Sequence, residues 1–155
     1  MNSDRIAIVT GGTRGIGRDI VRHLIEEGFF VHFTYLSSGE NSKLLEDQFR
    51  GQCKGTSVDG CVEQNVRGYI AEIANDNQKI AVMVNNAGIT VDYLIKDAEW
   101  VKYQKIFEVN VGGVFNFSRA VLPIMMKQRY GDIINISSLA THNIRMGNSF
   151  LWISL

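Results

Sequence analysis

The chain is poor in several residue types, and each shortage removes a class of protein. Only two of its 155 residues are cysteines, Cys53 and Cys61. They fall around an expected third strand without metal-ligand spacing, so they read as reduced structural thiols of a cytoplasmic protein, not a disulfide framework or zinc site. Of the three histidines, His23 and His32 lie within regular elements. His142 follows Ser138, but no G-x-S-x-G elbow surrounds that serine, which argues against a Ser–His hydrolase. Charge of one sign is missing too: 16 Lys and Arg balance 16 Asp and Glu. With a pI of about 6.8, the chain has no electrostatic footprint for nucleic acid. No apolar run reads as long enough to span a membrane. The N-terminus lacks the basic region and apolar segment of a signal peptide. Neither nucleic acid nor membrane is therefore an expected partner. There is no repeat, low-complexity tract or linker, so residues 1–155 read as one domain. The single proline, Pro123, falls in a helical stretch and is expected to kink it.

What the chain has is alternation. Ile6-Ala7-Ile8-Val9-Thr10 is short, apolar and β-branched, as a buried parallel strand should be. Ile20, Val21, Leu24 and Ile25 then recur at helical spacing up to Gly28. Further strands are expected at 31–35, 55–58, 80–84 and 133–136, separated by helices at 41–49, 62–74 and 99–126. Five strands joined by helices imply right-handed βαβ units, an α/β fold with a doubly wound parallel sheet, and strand order 3-2-1-4-5.

The first strand runs straight into Gly11-Gly12-Thr13-Arg14-Gly15-Ile16-Gly17. Gly11 lets the chain turn sharply. Gly15 leaves no Cβ between backbone and a pyrophosphate. Gly17 lets the helix pack close to the strand. The helix N-terminus then offers N–H groups and a partial positive charge to phosphate. The pattern points to a nucleotide, although a ligand-free turn would also use glycines.

Thr10 to Gly17, then Asn85-Asn86-Ala87-Gly88, then Asn110, then Asn135-Ile136-Ser137-Ser138 resembles the ordered motif set of the short-chain dehydrogenase/reductase family. Asn85 to Thr90, with Trp100 and Met125-Met126-Lys127, looks most like its 3-oxoacyl-acyl-carrier-protein and acetoacetyl-CoA reductases. The resemblance implies a Rossmann-type domain, a nicotinamide cofactor and a 3-oxoacyl thioester substrate carried by acyl carrier protein or CoA, in a homo-oligomer. It places Asn86, Ala87 and Gly88 along the adenosine ribose, and Asp59 and Gly60 at the adenine. The bland alternative for Asp59 is a turn or cap residue. No acid ends the second strand, where Tyr35-Leu36-Ser37-Ser38 stands. Arg14 resembles the arginine that faces a 2′-phosphate, which favours NADP(H). Ser138 matches the serine that hydrogen-bonds the substrate carbonyl, and Asn110 the asparagine that supports a water in the proton path. The alternative for Asn110 is a buried amide bonding the backbone.

Two departures stand out. The family's proton-donating Tyr should fall near residue 151 and its Lys near 155, but those positions are Leu151 and Leu155. The loop between Thr90 and Trp100 is also short. The chain therefore reads as a C-terminally incomplete domain, truncated or frame-shifted, with little or no activity, since general acid catalysis alone contributes about 10²–10⁴ in rate. The 133–136 strand would become an unpaired apolar edge. Phe115, Phe117, Val121, Leu122 and Met125 would partly face nothing. A non-catalytic nucleotide-binding module and a structural partner of an intact homologue are the alternatives.

Overall fold

The computed structural model describes residues 5–74, 79–90 and 95–138. Its centre is a five-stranded parallel sheet in the order β3-β2-β1-β4-β5. The strands are β1 (Arg5–Val9), β2 (Phe30–Tyr35), β3 (Cys53–Ser57), β4 (Lys79–Asn85) and β5 (Asp132–Asn135). Between them run α1 (Gly15–Glu26), α2 (Gly39–Gln48), α3 (Glu63–Ala74), and, after β4, α4 (Trp100–Phe107) and α5 (Gly113–Gln128). This is the doubly wound order expected from the alternation.

The two-residue period of β1 explains why both faces of the sheet are covered. Ile6 and Ile8 point to one side and pack with Val66, Tyr69, Ile70 and Ile73 of α3 and with Phe117, Val121 and Met125 of α5. Ala7 and Val9 point to the other and pack with Val21 and Ile25 of α1 and Leu45 of α2. These four β1 side chains are fully buried, and only Arg5 at the start of the strand is exposed. The β1–β4 register shifts between Ile6 and Ala7, so that Ala81 has no partner in it. The chain winds outward from β1 through β2 to β3, then from β4 to β5. That reversal leaves a crevice beyond the carboxyl ends of β1 and β4, the usual ligand position in such sheets.

The long helical stretch departs from expectation in three ways. It runs unbroken through Pro123, and the irregularity lies instead in a π-helical turn at Glu108–Gly112. Such turns are rare and concentrate at functional sites. Phe117, Val121 and Met125 are buried on the sheet, so only Phe115 and Leu122 of the expected five are exposed, at 58% and 47%; Val111 and Met126 join them. Finally, the stretch Trp100–Gln128 does reach the length and mean hydropathy of a membrane span, contrary to the expectation from the sequence. Its inner face packs on the sheet through Phe117, Val121 and Met125, Ile106 is buried as well, and its polar side chains Asn110 and Asn116 bond to neighbouring loops. It is a core helix of this domain.

The two sheet edges differ. At β3 the Gly55 N–H donates to Glu46 Oε1 of α2 at 2.6 Å. At β5 no strand pairs with the outer side among the described residues. That edge is less apolar than expected: Ile134 is exposed, Ile133 and Ile136 are half-buried against the core, and Asp132 and Asn135 are exposed polar residues.

Candidate functional site

The loop from β1 to α1 forms one wall of the crevice. Gly11 and Gly15 both adopt left-handed backbone, with φ of +67° and +52°. A Cβ on Gly15 would meet nothing within 4 Å, so the space beside it is open. Gly17 is the opposite case. A Cβ there would lie 2.2 Å from Gly11 O and 2.5 Å from Asn86 Nδ2, so no side chain fits between helix and strand. Gly12 lies against β2, where a Cβ would come 2.6 Å from Phe33 Cβ. Thr13 is buried, whereas Arg14 and Ile16 are exposed. Arg14 is the N-cap of α1 in extended backbone, and no side chain caps the helix. The first N–H groups of α1 thus face the open space without a protein cap.

Thr10 joins this wall to the end of β4. Its hydroxyl, on a residue only 3% exposed, accepts the N–H groups of Asn86 and Ala87, each at 2.9 Å. The Asn86 side chain answers by donating to Thr10 O at 2.9 Å and to Gly11 O at 3.3 Å. Asn86 therefore holds the glycine turn in place. Sequence reasoning did not assign Thr10 a role. The signal was a hydroxyl residue closing an otherwise apolar strand.

Asn110 sits in the π-helical turn, buried. Its Oδ1 accepts the Ile89 N–H at 2.9 Å and its Nδ2 donates to Ile89 O at 3.1 Å. Gly88 lies under it, with Oδ1 3.3 Å from where a Cβ would be. The amide thus bonds backbone on both sides and fixes the 86–90 segment. Asp59 behaves as a turn residue: its Oδ1 accepts the Cys61 N–H at 2.9 Å. Burial, and then the Asp59 carboxylate, pushes the Cys61 thiol up, against an opposing pull from Lys105. Gly60 O accepts a hydrogen bond from Asn116 Nδ2 at 2.9 Å.

Ser138 is half-buried just past β5. Between α5 and this strand end lies a cleft of about 390 Å³ lined in part by Asn110, Val114, Ser118, Asn135 and Ser137. Behind it Asn85 Nδ2 donates to Ser118 Oγ at 3.1 Å and to Asn135 Oδ1 at 2.8 Å. Asn85 Oδ1 is buried without a partner among the described residues. This polar cluster was not foreseen from the sequence. Leu151 and Leu155 lie outside the described residues, as do residues 91–94 of the short loop after Thr90. No group of three or more His, Cys, Asp or Glu side chains placed to hold a metal occurs among the described residues.

A doubly wound parallel sheet, with a glycine turn and an Asn-Asn-Ala-Gly segment meeting at its switch point, defines a Rossmann-type α/β domain. The chain belongs to the short chain dehydrogenase family, whose model matches residues 5–150. It is 38% identical over 138 residues to the 3-oxoacyl-[acyl-carrier-protein] reductase of Haemophilus influenzae, covering 87% of this chain and 55% of the relative. It is 35% identical over 146 residues to the enzyme of the same name from Staphylococcus aureus, covering 90% of this chain and 58% of the relative. Among solved structures, a short-chain dehydrogenase from Streptomyces avermitilis superposes with a TM-score of 0.90 at 25% identity, covering 97% of this chain and 55% of that one. The chain thus spans little more than half the length of these relatives.

Proposed function

We propose that this chain forms the cofactor-binding part of an NADP(H)-dependent reductase acting on 3-oxoacyl thioesters, carried by acyl carrier protein or CoA. The observation that carries the reading is the open space at Gly15 beside the uncapped N-terminus of α1. A pyrophosphate there would receive N–H groups and the helix dipole with no Cβ in its way. Arg14 stands next to it, and Tyr35-Leu36-Ser37-Ser38 sets no carboxylate against a 2′-phosphate. Asn86, Ala87 and Gly88 would line the ribose, Asp59 and Gly60 the adenine.

The nicotinamide, when bound, supplies the hydride. The chain's own residues orient the partners. Ser138 Oγ donates a hydrogen bond to the substrate carbonyl oxygen, and Asn110 keeps the 86–90 segment against the nucleotide. A proton donor is still required. With leucine at 151 and 155, the 155-residue chain by itself turns over slowly or not at all.

Calorimetric titration with NADPH tests the reading. Saturable binding that weakens in Arg14→Ala, with NADH binding less tightly than NADPH, is expected. No binding of either nucleotide by the folded chain overturns it. Acetoacetyl-CoA-dependent oxidation of NADPH at a rate typical of enzymes would overturn the inactivity alone.

A further inference from the structure

We propose that Asn116 is a positioning residue for the adenine side of the nucleotide site, an inference that rests on the cofactor reading above. Besides a turn bond from the Val62 N–H to Asp59 O at 3.2 Å, three hydrogen bonds hold the segment that follows β3. The Val58 N–H donates to Tyr35 O at 2.9 Å, the continuation of the sheet. The Cys61 N–H donates to Asp59 Oδ1 at 2.9 Å, a turn internal to the segment. The third hold comes from far along the chain: Asn116 Nδ2 on α5 donates to Gly60 O at 2.9 Å. Gly60 lies flat on the same helix, where a Cβ would stand 3.2 Å from Phe117 Cε2 and 3.8 Å from Gly113 Cα.

Six residues earlier in the same helical stretch, Asn110 holds Ile89 through both of its amide atoms. A single helical bar thus grips both segments assigned to the adenosine half of the cofactor, 58–62 through Asn116 and 86–90 through Asn110. The sheet alone does not fix their spacing, because both segments lie beyond the strand ends. Asn116 is only half-buried, so its loss leaves a Gly60 carbonyl that water can reach, and the fold survives. What changes is the freedom of the Asp59–Gly60 turn, which nucleotide binding must then restrict.

The test uses Asn116→Ala and the isosteric Asn116→Asp, with NADPH affinity of the whole chain read by calorimetry, alone and in an Asp59→Ala background. Both variants should weaken NADPH by about three- to tenfold, the equivalent of one net hydrogen bond. In the Asp59→Ala background the same change should cost less than about twofold, because the turn it positions no longer contributes. A merely structural asparagine would lower affinity equally in both backgrounds, and that result overturns the proposal. So does binding by either variant within about twofold of the unmodified chain. Failure of the unmodified chain to bind NADPH overturns the cofactor reading and this inference with it.

Discussion

Thr10→Val separates a structural account of the glycine turn from one based on glycine alone. Valine keeps the shape of threonine and removes one atom's chemistry. The lost hydroxyl accepts two N–H groups at 2.9 Å, and its own proton points to Val84 O at a long 3.5 Å. The two N–H groups are not equivalent. Asn86 is half-buried and Ala87 exposed, so water replaces the partner of Ala87 more fully. An orphaned buried donor costs about 1–3 kcal/mol, and an exposed one less than about 1 kcal/mol. The extra methyl returns about 0.8 kcal/mol of burial. The net expectation is a loss of about 2 kcal/mol. At a urea slope of about 1–3 kcal/mol/M, the midpoint falls by about 1 M. Thr10→Ser keeps the acceptor and loses a methyl, so it should sit between the two. NADPH affinity should fall in the valine variant and persist in the serine variant. A valine midpoint equal to that of the unmodified chain, or a serine variant weaker than valine, would refute the argument.

Three further outcomes follow from the same geometry. Gly17→Ala places a methyl 2.2 Å from the Gly11 carbonyl oxygen and should destabilise by more than about 2 kcal/mol, whereas Gly68→Ala, on open helix surface, should stabilise by about 0.5–1 kcal/mol; equal effects in urea unfolding would contradict both. Tyr69→Phe removes a buried hydroxyl with no partner among the described residues, on a residue 5% exposed whose titration burial pushes strongly upward, so stability should hold or rise by about 1 kcal/mol; a clear loss in urea would argue for an unseen partner. Burial, with Glu46 nearby, pushes the Cys53 thiol up to about 11 from 9.0. The folded state then holds the proton more tightly than the unfolded one. This contribution is complete below pH 9 and declines as pH rises towards 11. Stability should therefore fall less steeply between pH 9 and 10 in Cys53→Ala than in the unmodified chain, and parallel slopes would count against the buried thiol.

The sequence made the sheet legible because its strands are short, apolar and buried on both faces, as Ile6 to Val9 show. Their order followed from the alternation of strand and helix. The glycine turn was legible because each glycine answers a steric demand that the local strand–turn–helix context already implies. The pairing of distant polar atoms was not. Nothing in the chain's local pattern says that Thr10 serves two amides beyond β4, that Asn85 meets Asn135 and Ser118, or that Asn116 reaches Gly60. The π-helical turn was hidden for a related reason: periodicity over 99–126 is almost that of a plain helix, and the bonds that Asn110 makes from the turn go to Ile89, far back along the chain. Pro123 carried a strong local signal for a kink, yet α5 continues through it, packed on the sheet through Phe117, Val121 and Met125.

The carboxylate that Glu46 sets on the Gly55 N–H gives the sheet a direction in which it can grow. A strand added at β3 would have to displace a charged oxygen from a 2.6 Å hydrogen bond, while β5 meets no such obstacle among the described residues. A sheet with one receptive edge behaves differently from one with two. If two copies join edge to edge through β5, each uses its single receptive edge and none is left for a third. Association by this route stops at a pair and does not propagate into a fibre.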